Sequence, residues 1–304
     1  MQRQTDPILQ VKNLSKRFKE IKAVDDLSLE VMKGDIYGFL GPNGSGKSTT
    51  IRMMLSLLQP DKGRIEIFGL PLQQNRMRIL KNVGAFIEKP DFYEYLSAFK
   101  NLELLSRYSG IVPDRIHIME ILDLVGLKDR AYSKVSTFSK GMKQRLGIAQ
   151  SLLHEPELLI LDEPASGLDP SGNRDIRELI RFLNTGKGKT IILSSHNLSE
   201  IELVANRMLI INKGQKVIEG GVRELLTAQS YRTTFMLDNG PKALESLKKS
   251  TIEYSDAVLK GDMLQLHCTR EAVPDINAFL AGAGIRIETI KIEQNLEEFF
   301  LNMT

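Results

Sequence analysis

The chain has 304 residues, which at roughly 150 residues per domain corresponds to about two domains, each long enough to bury a core. This length excludes a disulfide-held miniprotein, and the shares of apolar residues, 42%, and charged residues, 26%, argue against a wholly disordered chain. The formal net charge is only +3, which argues against a nucleic-acid-binding surface spread over the whole protein.

The first 85 residues read as short β-strands separated by Gly and Pro, with one helical segment before the last strand. The predicted strands are ILQVKNLSKRF, LSLEV, DIYGFLG and GRIEIFG. Residues 94–153 instead carry apolar positions at helical spacing. The helical segments are EYLSAFKNLELLSRYSG, RIHIMEILDLVGL and GMKQRLGIAQSLLH. This pattern predicts an α/β core with a helical insert at about residues 88–155.

Strands return after Pro156, where LLILDEP and TIILSSH are separated by the helix-like NRDIRELIRFLN. A strand, a crossover helix and a second strand favour a parallel sheet, and RMLIINKGQKVIEGG reads as a hairpin. From about residue 230 a β-α-β-β-α-β rhythm follows, closed by NLEEFFLNM. We therefore predict an α/β domain at residues 1–224 and a small ferredoxin-like α+β domain at residues 225–304.

Two features bear on the compartment of the protein. The single cysteine, Cys268, cannot close an intrachain disulfide, which fits a reducing compartment such as the cytosol. No apolar run approaches about 18 residues, and the N-terminus lacks the apolar segment of a signal peptide. We expect any membrane role to depend on a partner protein.

Residues 41–49, GPNGSGKST, follow a predicted strand and precede a predicted helix, as a P-loop requires. Its glycines let main-chain N–H groups turn toward phosphate oxygens, Lys47 supplies a positive charge to the β- and γ-phosphates, and the Ser48 hydroxyl suits Mg²⁺. The alternative is a Gly-rich turn that contains GKS by coincidence. The candidate nucleotide-binding residues are Gly41, Asn43, Gly44, Gly46, Lys47, Ser48 and Thr49.

The segment LLILDE predicts a buried strand with Asp162 at its carboxyl end, where α/β sheets bind their ligands. We expect Asp162 to orient Mg²⁺ through water. Glu163 is the candidate catalytic carboxylate that aligns and polarises the attacking water in phosphoryl transfer. Taken alone, such an acidic pair is more often a solvated turn, and the P-loop is what favours the functional interpretation.

Three further motifs accompany this pair: FSKGMKQRLGIAQSLL, SGLDP and the strand-terminal histidine of ILSSHNLSE. With the P-loop and LLILDEP, in this order, they resemble the ATP-binding subunits of bacterial ABC transporters over about residues 8–222. The resemblance implies an ABC ATPase cassette that binds ATP and Mg²⁺ in a head-to-tail homodimer. It also implies attachment to integral membrane permease subunits at the cytoplasmic face of the membrane, with no nucleic acid as partner.

The resemblance assigns roles to single residues. Phe18 matches the aromatic residue that stacks on adenine, although it also reads as a core residue at a strand end. Ser139 and Gly141 match the signature motif that closes on the ATP of the other subunit, although Ser139 can also be an ordinary cap of the helix that begins near Gly141. Asp169 matches a loop beside that interface, although Asp-Pro is also a common turn. His196 matches the histidine that hydrogen-bonds the γ-phosphate. The other histidines are expected to be structural; they are His117, His154 and His267.

Two positions depart from the family pattern. Lys140 stands where the signature motif usually has glycine, and Glu88 stands where glutamine usually ligates Mg²⁺. A carboxylate can still ligate the metal but cannot donate a hydrogen bond to water. Glutamate here is similar to the ATPases of lantibiotic self-protection exporters, and the chain also resembles bacitracin-resistance transporters. Both point to a peptide antibiotic as cargo. The alternative is that Glu88 is a surface carboxylate at a strand end and that the presence of glutamate there has no functional effect.

The preferred function is therefore an ATPase that drives export. The alternatives are a non-transport ABC-type ATPase and a nucleotide-gated interaction module, the latter suggested by Lys140 and Glu88. Within the helical insert, Phe92, Tyr93 and Tyr95 would receive the membrane subunits or belong to the local core. The C-terminal domain has no phosphate or metal motif and is expected to be regulatory or to stabilise the dimer.

Overall fold

A computed structural model of the chain describes residues 7–87, 91–227 and 231–293. This part of the chain forms two compact units, and the division falls between Val222 and Arg223. Each unit has an apolar core of its own.

The elements of the first unit follow in chain order. Its strands are β1 (Pro7–Phe18), β2 (Ile21–Met32), β3 (Ile36–Leu40), β4 (Lys62–Ile67), β5 (Leu70–Pro71), β6 (Val83–Phe86), β7 (Leu158–Asp162), β8 (Thr190–Ser195), β9 (Arg207–Asn212) and β10 (Gln215–Gly221). Its helices, with α8 crossing the division, are α1 (Lys47–Met54), α2 (Leu72–Leu80), α3 (Ala98–Tyr108), α4 (Arg115–Leu124), α5 (Lys140–Leu152), α6 (Pro170–Thr185), α7 (Leu198–Glu202) and α8 (Val222–Thr227).

A six-stranded sheet with the order β10-β9-β3-β8-β7-β6 forms the centre of the first unit. All of its strand pairs are parallel except the β9–β10 hairpin at the edge. Every residue of β3, β7 and β8 is buried, as expected for central parallel strands covered on both faces. The parallel sheet and the hairpin that the sequence predicts are both observed. The carboxyl ends of β3, β7 and β8 consequently lie side by side.

An antiparallel sheet with the order β2-β1-β4-β5 forms the second layer. The predicted strand LSLEV is part of a longer strand that pairs with β1 from Pro7 to Phe18. The helix α2, Leu72–Leu80, was not predicted, because only Leu72 and Ile79 of this helix are buried. Two apolar contacts in nine residues give too sparse a pattern for a helix to be recognised.

The predicted helical insert is observed as α3, α4 and α5. Ser97, Asp114 and Ser139 cap the three helices, each accepting a hydrogen bond from a main-chain N–H of the first turn. The helix α6 follows β7 and crosses back to β8. Its buried residues are Ile176, Leu179, Ile180 and Leu183, the spacing of one helix face.

A buried cluster of charged and polar side chains joins the two sheets. Arg207 of β9 lies 3.1 Å from Asp35 and 3.6 Å from Glu219 of β10, and the Tyr37 hydroxyl donates to Glu219 at 2.8 Å. Burial, followed by the Glu219 charge and its hydrogen bond, raises the pKa of Tyr37 well above its usual value. The main chain of Glu30, on β2, also binds this cluster, because its N–H donates to Glu219 and its carbonyl accepts from Arg207.

The second unit is a four-stranded antiparallel sheet with the order β12-β13-β11-β14. Its elements are β11 (Tyr231–Leu237), α9 (Gly240–Lys248), β12 (Ser255–Lys260), β13 (Met263–Cys268), α10 (Ala272–Gly282) and β14 (Ile287–Glu293). This is the β-α-β-β-α-β order of a ferredoxin-like domain, as predicted. The predicted closing segment NLEEFFLNM lies outside the described residues.

Candidate nucleotide-binding site

The loop between β3 and α1 has the geometry of a phosphate-binding loop. Gly44 and Gly46 have φ angles of 80° and 109°, in the left-handed region that favours glycine. A Cβ at Gly46 would lie 2.4 Å from the carbonyl oxygen of Ala23, and one at Gly41 would lie 2.4 Å from that of Ile211. Conformation or close packing thus requires glycine at all three positions.

Polar groups at the start of α1 are available to bind an anion. Gly46 is the N-cap residue and has no side chain, so the first N–H groups of α1 lack a partner within the helix. The buried Oγ of Ser45 has no hydrogen-bond partner among the described residues. Ser48 and Thr49 are half-buried in the first turn, and Asn43 is exposed in the loop. This donor set fits the phosphates of a nucleotide.

Lys47 points its ammonium group back into the loop. The residue is 5% exposed, and its Nζ donates to the carbonyl oxygens of Gly41 at 2.7 Å and Pro42 at 3.2 Å. Nζ also lies 3.7 Å from Oε1 of Glu163. Burial lowers the pKa of Lys47, and the charges of Glu163 and Asp162 oppose that shift. The loop therefore holds a desolvated cation close to the place where phosphates would bind.

The acidic pair stands at the carboxyl end of β7, next to the loop. Asp162 is buried, and Glu163 follows with a φ angle of 48°, a left-handed conformation that is uncommon for a residue other than glycine. Oε1 of Glu163 lies 3.3 Å from Nδ1 of His196, which follows β8. The structure thus brings Lys47, Asp162, Glu163 and His196 together at neighbouring strand ends.

Ser194 belongs to this group, although the sequence analysis did not identify it. Its hydroxyl donates to Oδ1 of Asp162 and accepts from the main-chain N–H of Glu163 at 3.0 Å. The available signal was a polar residue near the end of an otherwise apolar strand, directly upstream of His196 and Ser195. Polar residues in such a place are often ligand-binding or positioning groups.

The signature residues form a second group at the start of α5. Ser139 caps this helix by accepting from the Met142 N–H at 3.2 Å, which is the helix-cap role expected of it. A Cβ at Gly141 would lie 3.7 Å from the Leu168 side chain, so the signature segment lies close to the SGLDP loop. Among the described residues, no hydrogen bond or ion pair links Ser139 or Gly141 to Lys47.

Asp169 and Lys140 lie beside the signature segment. Asp169 caps α6: its carboxylate accepts from the Ser171 hydroxyl at 2.6 Å and from the Gly172 N–H at 3.2 Å, and these bonds lower its pKa. The Nζ of Lys140 lies 2.1 Å from the position that a Cβ on Gly167 would occupy. The lysine that departs from the family pattern therefore packs against the SGLDP loop of its own chain.

Phe18 ends β1 and is 46% exposed, with the Lys16 ammonium 5.7 Å from its ring centre. This exposure is inconsistent with the alternative of a buried core residue.

Glu88 lies outside the described residues, so its predicted metal-binding role stays a prediction.

The three aromatic residues at the start of the helical insert were predicted either to receive the membrane subunits or to belong to the local core, and they differ in burial. Phe92 is buried in the local core, whereas Tyr93 and Tyr95 are exposed and contact each other edge to face, 6.0 Å apart. The buried side chain of Asn101 binds both the N–H and the carbonyl group of Tyr93, which fixes the main chain there.

The other three histidines have partners outside this group of residues. His117 and His154 each bind a main-chain carbonyl, of Leu153 at 3.2 Å and of Val83 at 3.1 Å. His267 lies 3.3 Å from Asp256 in the second unit.

A phosphate-binding loop after a parallel strand, with acidic residues and a histidine at the adjacent strand ends, defines a P-loop nucleotide-binding protein. A family model described as ABC transporter matches residues 24–166. The chain is 39% identical to the bacitracin transport ATP-binding protein BcrA of Bacillus licheniformis, over 97% of this chain and 97% of that protein. The BcrA protein of Enterococcus faecalis is 38% identical, over 96% and 95% of the two chains. The chain therefore belongs to the ATP-binding proteins of ABC transporters, and it is an ATPase.

Solved structures agree with this family. The structure of cbiO1 from Clostridium perfringens, part of the ABC transporter complex cbiONQ, superposes with a TM-score of 0.67 and 26% identity. It covers 72% of this chain and 90% of its own. A dimeric post-hydrolysis structure of the ATP-binding cassette MJ0796, bound to ADP and Pi, has a TM-score of 0.63 and 26% identity, covering 71% and 99%. The family resemblance stated from the motifs is confirmed. In the part of the chain that the structure describes, no helix is long and apolar enough to cross a membrane.

Proposed function

We propose that this chain is the ATP-hydrolysing subunit of an exporter for peptide antibiotics, and that it acts as a homodimer on separate membrane subunits. The observation that carries the proposal is the approach of Glu163 to both Lys47 and His196, at 3.7 Å and 3.3 Å, beside the phosphate-binding loop. One carboxylate, one cation and one imidazole meet where the γ-phosphate and its attacking water would lie.

Each residue then has a defined part in hydrolysis. The loop N–H groups and Lys47 bind the β- and γ-phosphates and neutralise their charge. Glu163 aligns and polarises a water molecule in line with the γ-phosphate, and His196 donates to a γ-phosphate oxygen. Catalysis of this kind consists mainly of positioning and electrostatic stabilisation. The adenine ring stacks on the exposed ring of Phe18.

The oxygen ligands beside the loop fit Mg²⁺. Asp162 presents a buried carboxylate whose Oδ2 forms no hydrogen bond among the described residues, and the Ser48 hydroxyl is half-buried nearby in the first turn of α1. Magnesium prefers oxygen ligands and is usually held by one or two side chains together with substrate phosphates. Consistent with this, the described residues contain no cluster of three His, Cys, Asp or Glu side chains that could hold a metal alone. Bound there, Mg²⁺ would neutralise charge on the phosphates.

The separation of the two residue groups supports a composite site. Gly141 lies close to Leu168 in the SGLDP loop of its own chain, and among the described residues neither Ser139 nor Gly141 forms a hydrogen bond or ion pair with the phosphate-binding loop. In a head-to-tail dimer, the first N–H groups of α5 would bind the nucleotide held by the other copy, and Asp169 would lie near the interface. Two copies would then hold two ATP molecules.

Exposed aromatic side chains on the helical insert support docking of a membrane subunit. Tyr93, Tyr95 and Tyr108 are exposed, and interaction with the side chain of Tyr108 raises the pKa of Tyr93. Exposed aromatic residues on a rigid main chain are common anchors in protein interfaces. This surface would attach the chain to the cytoplasmic side of the membrane.

The proposed cargo rests on the relatives and on Glu88. Two relatives that match nearly the whole chain are described as bacitracin transport proteins. Together with glutamate in place of the usual glutamine, this supports a bacitracin-like peptide or a lantibiotic as the exported compound.

The hydrolytic role is tested with Glu163→Gln. This variant should bind ATP with Mg²⁺, hydrolyse it very slowly and accumulate as a dimer, because the amide cannot polarise water but leaves the phosphate-binding groups intact. ATP turnover and size-exclusion chromatography with and without ATP measure both effects. Glu178→Gln is the matched control, since Glu178 is an exposed carboxylate paired with Arg174 on α6. Wild-type turnover in Glu163→Gln would contradict the assignment.

The cargo is tested in cells. Deleting the gene should make the host more sensitive to bacitracin-like peptides or lantibiotics, but not to small hydrophilic drugs. Wild-type protein should restore resistance, and Glu163→Gln should not. Unchanged sensitivity to a panel of such peptides would refute the cargo while leaving the ATPase assignment intact.

A further inference from the structure

Ser194 connects the two acidic residues of the site through a single hydroxyl group. Parallel pairing of β7 and β8 sets Asp162 opposite Ser194, so both side chains lie on the same face of the sheet. Strand alternation turns the next residue, Ser195, to the other face, where its hydroxyl binds Glu200 instead. The register of these two strands therefore determines that Ser194 meets the acidic pair.

The hydroxyl of Ser194 uses both of its hydrogen-bonding functions here. It donates to Oδ1 of Asp162 and accepts from the N–H of Glu163 at 3.0 Å. Ser194 is 1% exposed and Asp162 is 5% exposed, so water has little access to replace either bond. Both bonds are thus fixed by buried partners.

Each bond constrains a different carboxylate. The bond to Oδ1 sets the rotation of the Asp162 side chain and leaves Oδ2 as the oxygen available to a ligand. The bond from the Glu163 N–H holds the main chain at the residue whose φ angle is 48°. That conformation directs the Glu163 side chain toward Lys47 and His196.

We propose that Ser194 is a positioning residue for ATP hydrolysis, orienting Asp162 toward the metal–nucleotide complex and Glu163 toward the attacking water. This inference rests on the proposed roles of Asp162 and Glu163. Ser194 does not touch the reacting atoms, and its effect passes through the two carboxylates.

The experiment compares Ser194→Ala with Thr190→Val in the full chain. Thr190 is a matched control because it is a buried residue of the same strand, and its hydroxyl accepts a hydrogen bond from the Gly34 N–H at 2.9 Å. It stands at the opposite end of β8 from the acidic pair. Both substitutions remove one buried hydroxyl, so both should lower the melting temperature by similar amounts.

Only Ser194→Ala should impair hydrolysis. We expect its kcat to fall about 10- to 100-fold, the effect of losing a hydrogen bond to a charged group, while KM for ATP changes by less than about threefold. Thr190→Val should keep kcat within about twofold of the wild-type value.

Nucleotide binding gives a readout independent of turnover. For a fluorescent ATP analogue, Ser194→Ala should keep its affinity in EDTA but require several times more Mg²⁺ for half-maximal enhancement of binding. A kcat equal to that of Thr190→Val, or an unchanged Mg²⁺ requirement, would overturn the proposal. If the alanine variant fails to fold, Ser194→Cys gives the same comparison, because a thiol is only a weak donor.

Measuring Glu163→Gln in parallel distinguishes a failure of the Ser194 proposal from a failure of the proposed function. Slow hydrolysis in Glu163→Gln together with wild-type behaviour in Ser194→Ala would refute the role of Ser194 alone. Wild-type hydrolysis in Glu163→Gln would refute the proposed function itself.

Discussion

Replacing Lys47 by methionine should separate the stability of the nucleotide-free protein from its stabilisation by ATP. The ammonium group is almost fully buried, and burial lowers its pKa, so its charge costs free energy in the folded state. In return it donates to two loop carbonyls at 2.7 Å and 3.2 Å. Methionine has a similar length and no charge.

Two contributions to the stability of the nucleotide-free protein oppose each other. Replacing both members of a buried ion pair by apolar side chains of similar volume ranges from neutral to about 4 kcal/mol stabilising. Lys47→Met replaces only the cation and leaves Glu163, which is 27% exposed, without it, so about 4 kcal/mol is an upper bound for the gain. Loss of the donor to the carbonyls of Gly41 and Pro42 costs about 1–3 kcal/mol. These ranges leave a net change of less than about 3 kcal/mol in the free energy of unfolding, in either direction, or up to about 12 °C in melting temperature.

With nucleotide present the variant and the wild type should differ. ATP at 100 times its dissociation constant adds about 2.7 kcal/mol to the stability of a protein that binds it, or about 5–10 °C in melting temperature. Lys47→Met should lose this increase, because the positive charge between the β- and γ-phosphates is gone.

The pH dependence provides a second signature. Because the pKa of Lys47 in the folded protein is below its ordinary value of 10.5, the unfolded chain binds more protons between these two values. The stability contribution of this residue therefore rises as the pH increases through that interval. Lys47→Met should lack this rise.

Thermal unfolding with and without ATP and Mg²⁺ is the assay. Lys33→Met is the control, since Lys33 is exposed and pairs with Glu157. The control should show the full ATP-dependent increase. An equal increase in Lys47→Met, or a nucleotide-free melting temperature more than about 12 °C below the wild type, would refute the reasoning.

Two further predictions concern stability. Arg207→Leu should destabilise the protein by about 2–3 kcal/mol in urea unfolding, which is less than for a fully buried ion pair because the Arg207 side chain is 27% exposed. The control Arg174→Leu, on the exposed face of α6, should have almost no effect. Equal effects of the two substitutions would contradict the importance of the Arg207 cluster. Burial lowers the pKa of His154 below its ordinary value of 6.5, so the unfolded chain binds more protons in that interval and stability falls as the pH drops below 6.5. His154→Gln should reduce this loss between pH 7 and pH 5, and a loss equal to that of the wild type would contradict the prediction.

The features that the sequence predicted well are formed by residues that are adjacent in the chain. The P-loop was recognisable because its strand, glycines, lysine and helix are consecutive, so local geometry specifies the site without any distant contact. Asp162 and Glu163 were recognisable because an apolar run predicts the strand whose end they occupy. The cap at Ser139 is likewise local.

Contacts that depend on strand register were not predictable. Ser194 meets Asp162 across 32 residues, and Arg207 meets Asp35 across 172 residues. A shift of one residue in either strand pairing would turn these side chains to the other face. The sequence pattern predicts the strands but not their register.

The cluster around Arg207 also protects the outer edge of β2. An uncovered strand edge presents unpaired N–H and carbonyl groups that can pair with another chain and start aggregation. Glu219 and Arg207 already bind the N–H and carbonyl groups of Glu30, and the Asp25 N–H is bound by Gly214 at 2.9 Å. Edge-to-edge pairing with another chain is thereby disfavoured at these positions of β2. The Arg207–Glu219 pair thus contributes to keeping neighbouring molecules separate as well as to joining the two sheets.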